Sequence, residues 1–263
     1  MTWAERRKFF YALVLLIIVG GIALLAYRNI TNVPVSCINH KQDQGEVGVD
    51  CGGPCSNYCP FQLNQPKVLW VRSFQVTPGI VHAVAYIQHN NANAAARNMQ
   101  YEFKIYDDKN NVIATRDGST FVGTAGNTAI VEALIPVGTS TPAVTRFAIT
   151  GAVPWEKIPS AFSVVTIKSD RTLLETTGQG RAIGTRLTAT LENQNRYNFT
   201  NLDVVAILYD EQDNAIAVSK SLLPTLLGQS TQTLYFTWPF AMPTKVARIE
   251  ILPRFNPFTT TAL

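Results

Sequence analysis

The sequence predicts an all-β fold: two tandem immunoglobulin-like antiparallel β-sandwiches, preceded by a single transmembrane helix and a small disulfide-rich segment. Three observations predict it. An uncharged apolar run of 19 residues lies near the start of the chain, all four cysteines lie within a later stretch of 23 residues, and the rest repeats with a period of about 103 residues. Short segments of the repeat alternate apolar and polar residues, which is typical of strands with one face in a core.

The uncharged run spans 9–27, and a helix of that length nearly crosses a hydrocarbon core about 30 Å thick. Basic residues occupy positions 6–8 before it, whereas only Arg28 follows it closely. By the positive-inside rule we expect a cytoplasmic tail at 1–8, a transmembrane signal anchor at 9–27, and a single-pass cell-membrane protein whose bulk is extracytoplasmic. The alternative is a cleaved signal peptide, but such peptides usually have a shorter apolar core and a small-x-small cleavage site.

The segment 28–62 is predicted to be a cysteine-rich stalk element. Its spacing is C-x13-C-x3-C-x3-C, so the last three cysteines form a tight run and the first is distant. Structural zinc sites commonly use two close pairs, and redox sites of the thioredoxin kind need C-x-x-C. Outside the cytoplasm disulfides are therefore the better interpretation, although the sequence leaves all three pairings open. The four residues are Cys37, Cys51, Cys55 and Cys59.

Three acidic residues of the same segment, Asp43, Glu46 and Asp50, suggest a second hypothesis. Glycines between and after them let the backbone turn tightly, and Ca²⁺ binds six to eight oxygen ligands, including carbonyl oxygens. Their spacing is not that of an EF-hand loop. A Ca²⁺ site at these three residues is therefore a hypothesis additional to the disulfides, and no other cofactor is expected.

The repeat indicates a duplicated domain. Asn90–Ala114 aligns on Asn193–Ala217, and the dipeptide Tyr106-Asp107 then falls on Tyr209-Asp210. In each copy the strand-like segments are separated by Gly, Pro, Asn and Asp, as in an antiparallel sandwich. We expect the first sandwich at 66–153, a linker with two prolines at 154–161, the second sandwich at 162–256, and a tail at 257–263.

No catalytic arrangement is recognisable in the sequence. The histidines His82 and His89 are seven residues apart on a predicted strand and should point to opposite faces, which argues against a shared metal. The motifs of serine hydrolases, zinc proteases and nucleotide-binding loops do not occur. We therefore predict a protein that is not an enzyme. The net charge of +4 with only 15% charged residues also argues against nucleic-acid binding.

Aromatic residues near the C-terminus of the second copy are the candidate binding residues. Trp238 and Phe240 stand beside Pro239 near a strand end. They are interpreted either as core-rim or domain-packing residues, or as a surface that binds a glycan or peptide.

Two short motifs resemble known families. "FKIYD" at Phe103–Asp107 and "AILYD" at Ala206–Asp210 resemble the F-x-L-Y-D signature of FxLYD domains, which are related to LEA14-like sandwiches. The resemblance implies a non-enzymatic immunoglobulin-like sandwich. The signature side chains are expected to be structural, with the tyrosines covering a sheet face or bonding a turn, and the aspartates accepting turn N–H groups. These residues are Phe103, Tyr106, Asp107, Tyr209 and Asp210.

The stretch "QDQGEVGVDCGGPC" resembles a cysteine-rich element of bacterial and archaeal surface proteins. This resemblance implies a membrane-anchored prokaryotic surface protein. Taken together, the sequence predicts a non-catalytic extracytoplasmic structural, adhesion or protein-interaction module of the cell envelope. Its expected partners are the membrane, through the helix, and an envelope protein or glycan. The alternative is a glycan- or peptide-binding surface subunit.

Overall fold

The structure, a computed structural model, describes residues 3–31, 36–43, 45–159, 167–178 and 181–262. The chain divides into two compact units, Met1–Cys55 and Ser56–Leu263. The N-terminal unit begins with helix α1, Trp3–Thr31. Its segment Arg6–Arg28 is long and apolar enough to cross a membrane, and none of that segment is buried. The helix therefore fits a single-pass anchor or a signal sequence.

The first sandwich has seven strands, and all its strand pairs are antiparallel. Strands β1, β2 and β5 form one sheet in that order. Strands β4, β3 and β6 form the other, and β7 pairs with the first residues of β3. The strands are β1 Lys67–Thr77, β2 Ile80–His89, β3 Ala94–Tyr106, β4 Val112–Val122, β5 Gly126–Pro136, β6 Val144–Ile149 and β7 Trp155–Lys157.

The second sandwich repeats this arrangement. Strands β8, β9 and β12 form one sheet, β11, β10 and β13 form the other, and β14 pairs with β10. The sequence also predicts a strand at 161–167, of which only Ile167 is among the described residues. The strands are β8 Ile167–Gly178, β9 Arg181–Asn193, β10 Tyr197–Tyr209, β11 Ala215–Leu226, β12 Ser230–Trp238, β13 Arg248–Arg254 and β14 Thr261–Ala262.

Alternation along the strands builds a core inside each sandwich. In the stretch "YEFKIYD" of β3, alternation predicts that Tyr101, Phe103 and Ile105 share one face, and these three side chains point inward and are buried. Tyr101 lies against Gly118 of β4, where an added Cβ would meet its ring at 2.5 Å. Glycine at 118 is therefore needed for this ring to lie flat on the neighbouring strand.

Two predicted boundaries differ from the observed ones. The predicted linker 154–161 contains β7, whose Trp155 is buried in the first core, and the predicted tail 257–263 contains β14. Each copy therefore ends in a short strand that pairs with the corresponding central strand: β7 pairs with the first residues of β3, and β14 with the first residues of β10. Residues 160–161 and 263 of those predicted segments lie outside the described residues.

The first sandwich also begins earlier than residue 66. The N–H of Tyr58 donates to the Trp155 carbonyl oxygen at 2.8 Å, and the N–H of Lys157 donates to the Ser56 carbonyl oxygen at 2.8 Å. Tyr58 and Leu63 pack against the first core. The end of the predicted stalk 28–62 thus belongs to the sandwich.

A third hydrophobic cluster joins the two sandwiches. The outer face of sheet β1-β2-β5 packs against the outer face of sheet β11-β10-β13, so both sandwiches belong to one compact unit. The cluster contains Val84, Tyr86, Ala129 and Val131 from the first sandwich and Val205, Ile207, Tyr209, Ala215 and Val218 from the second, with Trp70, Phe74 and Leu252 at its margin.

Candidate functional site

The four cysteines are all disulfide-bonded, as the sequence predicts. Cys37 is bonded to Cys55, with a Cα–Cα distance of 5.7 Å. Cys51 and Cys59 are also in the disulfide state, and none of the cysteines is free. The segment that carries them has little regular secondary structure, so covalent cross-links supply order that a hydrophobic core supplies elsewhere.

Removing the Cys37–Cys55 disulfide is expected to melt this segment. The bond closes a sequence separation of 18 residues, for which chain entropy predicts a loss of about 3 kcal/mol. In the double variant Cys37→Ser, Cys55→Ser, hydrogen exchange of residues 37–51 should become fast, while the amides of β10 keep their protection. Unchanged protection in 37–51 would contradict a structural role for the bond.

Two of the three carboxylates of this segment accept hydrogen bonds from backbone N–H groups. Asp50 accepts hydrogen bonds from the N–H of Asn39 at 2.8 Å and of His40 at 2.9 Å. One oxygen of Glu46 accepts from the N–H of Asp43 and of Asp50, both at 3.3 Å. These hydrogen bonds therefore connect residues 39–43 of the loop to residues 46–50.

The hypothesis of a Ca²⁺ site at Asp43, Glu46 and Asp50 finds no assembled ligand set in this geometry. Among the described residues, the group that offers three ligand atoms within 4.8 Å of one another consists of Cys37, Glu46 and Cys55. The two sulfurs of that group are bonded to each other and cannot act as thiolate ligands. One oxygen of Asp43 is buried without a hydrogen-bond partner, while its other oxygen accepts from the Asn39 amide at 2.7 Å.

The duplicated aspartates have the same structural task in both copies. Asp107 Oδ1 accepts from the N–H groups of Lys109 at 3.0 Å and Asn111 at 2.7 Å. Asp210 Oδ1 accepts in the same way two and four residues on, at 3.0 and 2.8 Å. The Asn111 side-chain amide, which donates to Asp107 Oδ2 at 3.0 Å, and the backbone N–H groups lower the pKa of the Asp107 carboxyl group. The backbone N–H of Asn214 does most to lower the pKa of Asp210. The prediction that the two aspartates organise the turns is confirmed.

The duplicated tyrosines, in contrast, have different surroundings. Tyr209 is buried between the sandwiches, and its hydroxyl donates to Glu250 at 2.8 Å. Tyr106 is half-buried on the first sandwich, with the Arg146 guanidinium 5.0 Å from its ring centroid. Covering a sheet face is therefore what Tyr209 does, whereas Tyr106 lies beside a basic side chain at the surface.

A polar cluster lies inside the interface between the sandwiches. Glu250 accepts from Tyr209 with one oxygen and from Tyr86 of the other sandwich with the second, at 2.7 Å. The Arg248 guanidinium stacks on the Tyr209 ring at 3.6 Å. Burial and the nearby Glu250 carboxylate raise the pKa of both tyrosines, so both remain donors at neutral pH. Arg72 also crosses the interface and donates to the Ala215 carbonyl oxygen at 3.1 Å.

Sequence reasoning missed this interface, although a signal for it exists. The stretch "VVAILY" in β10 is apolar at consecutive positions, which is typical of a strand buried on both faces. The equivalent stretch of β3 places Glu102 and Lys104 where β10 has Val205 and Ile207. Comparing the outward positions of the two copies identifies the covered face.

A cleft of about 210 Å³ opens where the loops of the first sandwich meet the end of β13. Arg254 lines it and is only 6% exposed. Its guanidinium donates to Thr120 Oγ1 at 2.7 Å and to the Phe121 carbonyl oxygen at 3.2 Å, and it lies 3.5 Å from Asp203. Burial lowers the Arg254 pKa, and Asp203 opposes that effect. The arginine thus ties the second sandwich to the first.

The histidines of β2 lie in different surroundings, as the sequence predicts. The Nδ1 atom of His82 accepts from the N–H of Leu134 at 3.0 Å. His89 is buried with its ring 5.0 Å from that of Trp155, and its Nδ1 has no hydrogen-bond partner. Burial lowers the pKa of both imidazoles.

This burial predicts a loss of stability in mild acid. Because the folded pKa values of His82 and His89 lie below the ordinary value of 6.5, their contribution to the free energy of unfolding should be nearly constant from about pH 8 to about pH 7 and should fall as the pH drops toward the folded values. Denaturant titrations at pH 8, 6.5 and 5 measure the slope, which His89→Gln should reduce. The aspartate turns weaken only below about 3.8, so they do not contribute in this window. A flat profile from pH 8 to pH 5 would refute the prediction.

The two candidate binding residues, Trp238 and Phe240, differ in how far they are buried. Trp238 is 5% exposed in the second core, and its Nε1 donates to the Val218 carbonyl oxygen at 2.9 Å, so its ring is not a surface platform. Phe240 is half-buried and lines a cleft of about 460 Å³ with Phe74 and Ile216. Of the pair, Phe240 is the one that a ligand could reach.

Comparisons with known proteins add little to this geometry. No family model and no curated protein matches the sequence. Among solved structures, a vicilin from Solanum melongena aligns with 74% of this chain and 86% of its own chain, at 5% identity and a TM-score of 0.15. A likeness that weak carries no argument about fold or function.

Proposed function

We propose that this chain is a non-catalytic, membrane-anchored, extracytoplasmic module of the cell envelope that serves a structural, adhesion or protein-interaction role. The observation that carries the proposal is the exposed apolar helix. Segment Arg6–Arg28 is long enough to cross a membrane, and none of it is buried by the rest of the described chain. So much apolar surface needs a lipid environment, and the charges at positions 6–8 favour a cytoplasmic N-terminus.

The disulfides support an extracytoplasmic location, because such bonds persist in oxidising compartments. The docked sandwiches support a structural or interaction role. Their contact is a hydrophobic cluster with a hydrogen-bonded polar centre, so they would present their surfaces to a partner as one body. We further propose that the sandwiches are immunoglobulin-like domains of the FxLYD kind, on a bacterial surface protein.

A topology experiment tests the location. Protease added to intact spheroplasts should digest the sandwiches and leave the segment before residue 28 protected. Digestion only after the membrane is permeabilised would refute the orientation. Cross-linking of the full chain in native membranes, followed by mass spectrometry, then tests for an envelope partner. Recovery of no cross-linked protein or glycan would refute the interaction role.

A second candidate function is glycan or peptide binding, and the cleft around Phe240 favours it. The cleft is lined mainly by apolar side chains and by residues 73–78 at the end of edge strand β1. Concave apolar sites with some polar groups are typical of ligand sites. If a glycan or peptide from an array binds there, Phe240→Ala should weaken it about tenfold, the loss expected at a contact residue worth over 1 kcal/mol. Tyr235→Ala, at an aromatic residue 53% exposed and outside the cleft lining, should leave binding unchanged.

A further inference from the structure

The disulfide-bonded loop of the N-terminal unit exposes apolar side chains that nothing in the described chain covers. Ile38 is 85% exposed, Val49 54% and Val47 44%. We call these three residues the stalk patch. The Asp50 carboxylate accepts hydrogen bonds from the N–H groups of residues 39 and 40 and so holds them beside the turn at 48–51. Ile38 and Val49 each directly precede a residue of this hydrogen-bonded contact.

The same hydrogen bonds place the acidic groups of this loop on its inner side. Glu46 is buried. The Asp43 carboxylate is partly buried and accepts from the Asn39 side-chain amide, and the Asp50 carboxylate is partly buried and accepts from two backbone N–H groups. Lys41 remains exposed, whereas the exposed His40 ring lies 3.3 Å from the Asp50 carboxylate. The outward surface therefore combines apolar side chains with the Lys41 ammonium group, a composition that favours an anionic membrane interface.

The position of the loop along the chain supports the same partner. Helix α1 ends at Thr31, and the described loop resumes at Ser36. Whatever the conformation between them, five residues extend at most about 17 Å. If α1 crosses a bilayer, the loop starts within this distance of the helix end, and the headgroup layer there is several ångströms thick.

We propose that the stalk patch inserts into the headgroup layer of the bilayer that holds α1, with Lys41 directed at anionic lipid. The proposal rests on the membrane anchoring proposed above. The hydrogen bonds of the three acids then have a second consequence, because they hold negative charge away from the lipid surface. The disulfide then fixes the loop so that the patch remains exposed.

Brominated lipids, which quench indole fluorescence on contact, test the proposal. The full chain carrying Trp3→Phe, with and without Val49→Trp, is reconstituted in phosphatidylcholine–phosphatidylglycerol vesicles with bromine near the headgroup end of the acyl chains. The difference between the two proteins gives the signal of the indole at 49, because Trp70, Trp155 and Trp238 contribute to both. Leu134→Trp in the same background is the control, because Leu134 is 61% exposed on the first sandwich. We expect strong quenching for the indole at 49 and none for the indole at 134. Adding Lys41→Glu should reduce quenching in the anionic vesicles but not in pure phosphatidylcholine.

The outcomes separate the two proposals. If the protein does not float with the vesicles, the membrane anchoring fails, and this inference fails with it. If it floats but the indole at 49 is not quenched, only the insertion of the stalk patch is overturned, as it also is if both indoles are quenched equally. A blue-shifted but unquenched indole at 49 would assign the patch to a protein surface and would likewise overturn the lipid assignment. Non-reducing mass spectrometry confirms that each variant keeps its disulfides.

Discussion

Replacing Ile207 by aspartate is expected to undock the two sandwiches and to lower the free energy of unfolding by roughly 3–5 kcal/mol. Ile207 is fully buried in the cluster that joins them. A carboxylate there would lose its hydration and would lie directly opposite Glu250, its cross-strand neighbour on β13. Like charges in such a pair repel, and Glu250 already accepts hydrogen bonds from Tyr86 and Tyr209.

Two native tryptophans can report the effect. Trp155 lies in the core of the first sandwich and Trp238 in the core of the second. In the native protein both indoles should change in one denaturant transition, because the docked sandwiches stabilise each other. In the Ile207→Asp variant we expect two separate transitions, which Trp155→Phe and Trp238→Phe backgrounds assign to the individual sandwiches.

The duplication supplies a matched control for this prediction. Lys104 occupies the equivalent position of β3, on an outward face where it pairs with Glu102 at 2.7 Å. Lys104→Asp replaces a surface ion pair by a solvent-exposed carboxylate opposite Arg146, so its cost should be about 1 kcal/mol or less, with a single transition retained. If Ile207→Asp behaved like Lys104→Asp, the docked interface would not exist in solution.

Replacing Phe103 by alanine is expected to cost roughly 3–5 kcal/mol, the range for removing a buried phenylalanine side chain. Phe103 is fully buried, and its ring centroid lies 4.9 Å from that of Phe147 and 5.8 Å from that of Tyr101. The loss combines the transfer of the ring with the cavity left between the two remaining aromatic rings. Urea titration followed by the fluorescence of Trp155, in the core of the first sandwich, measures this loss of unfolding free energy.

Ala206 makes the Phe103 prediction specific to one copy. It occupies the equivalent position in the second core and is also fully buried. Its neighbours are smaller than those of Phe103: Val204 stands in the place of Tyr101, and Ile251 in the place of Phe147. Ala206→Phe should therefore overpack the second core and cost about 1–3 kcal/mol rather than stabilise it. Phe61→Ala, at a residue that is 74% exposed, should be nearly neutral. A loss below about 1 kcal/mol for Phe103→Ala would contradict the placement of this phenylalanine in the core.

Local patterns predicted much of this molecule, because they act over a few residues. The alternation in "YEFKIYD" indicates which side of β3 is buried, and the structure has Tyr101, Phe103 and Ile105 on that side. Asp107 and Asp210 sit where a carboxylate can accept N–H groups two and four residues on, and both do so. The short strands β7 and β14 escaped prediction because three or two residues beside prolines or threonines carry no periodicity.

From the amino-acid sequence alone one can predict the apolar helix, the grouping of the cysteines, and two copies of one antiparallel sandwich, because length, composition and period-two alternation suffice for these features. The three-dimensional structure was needed to learn that Cys37 bonds Cys55, that Trp238 is a core residue, and that the outer face of β10 is covered while that of β3 is not. These depend on which distant segments meet. Alternation specifies the two sides of a strand, but what lies against the outer side is set by packing between elements far apart in the chain.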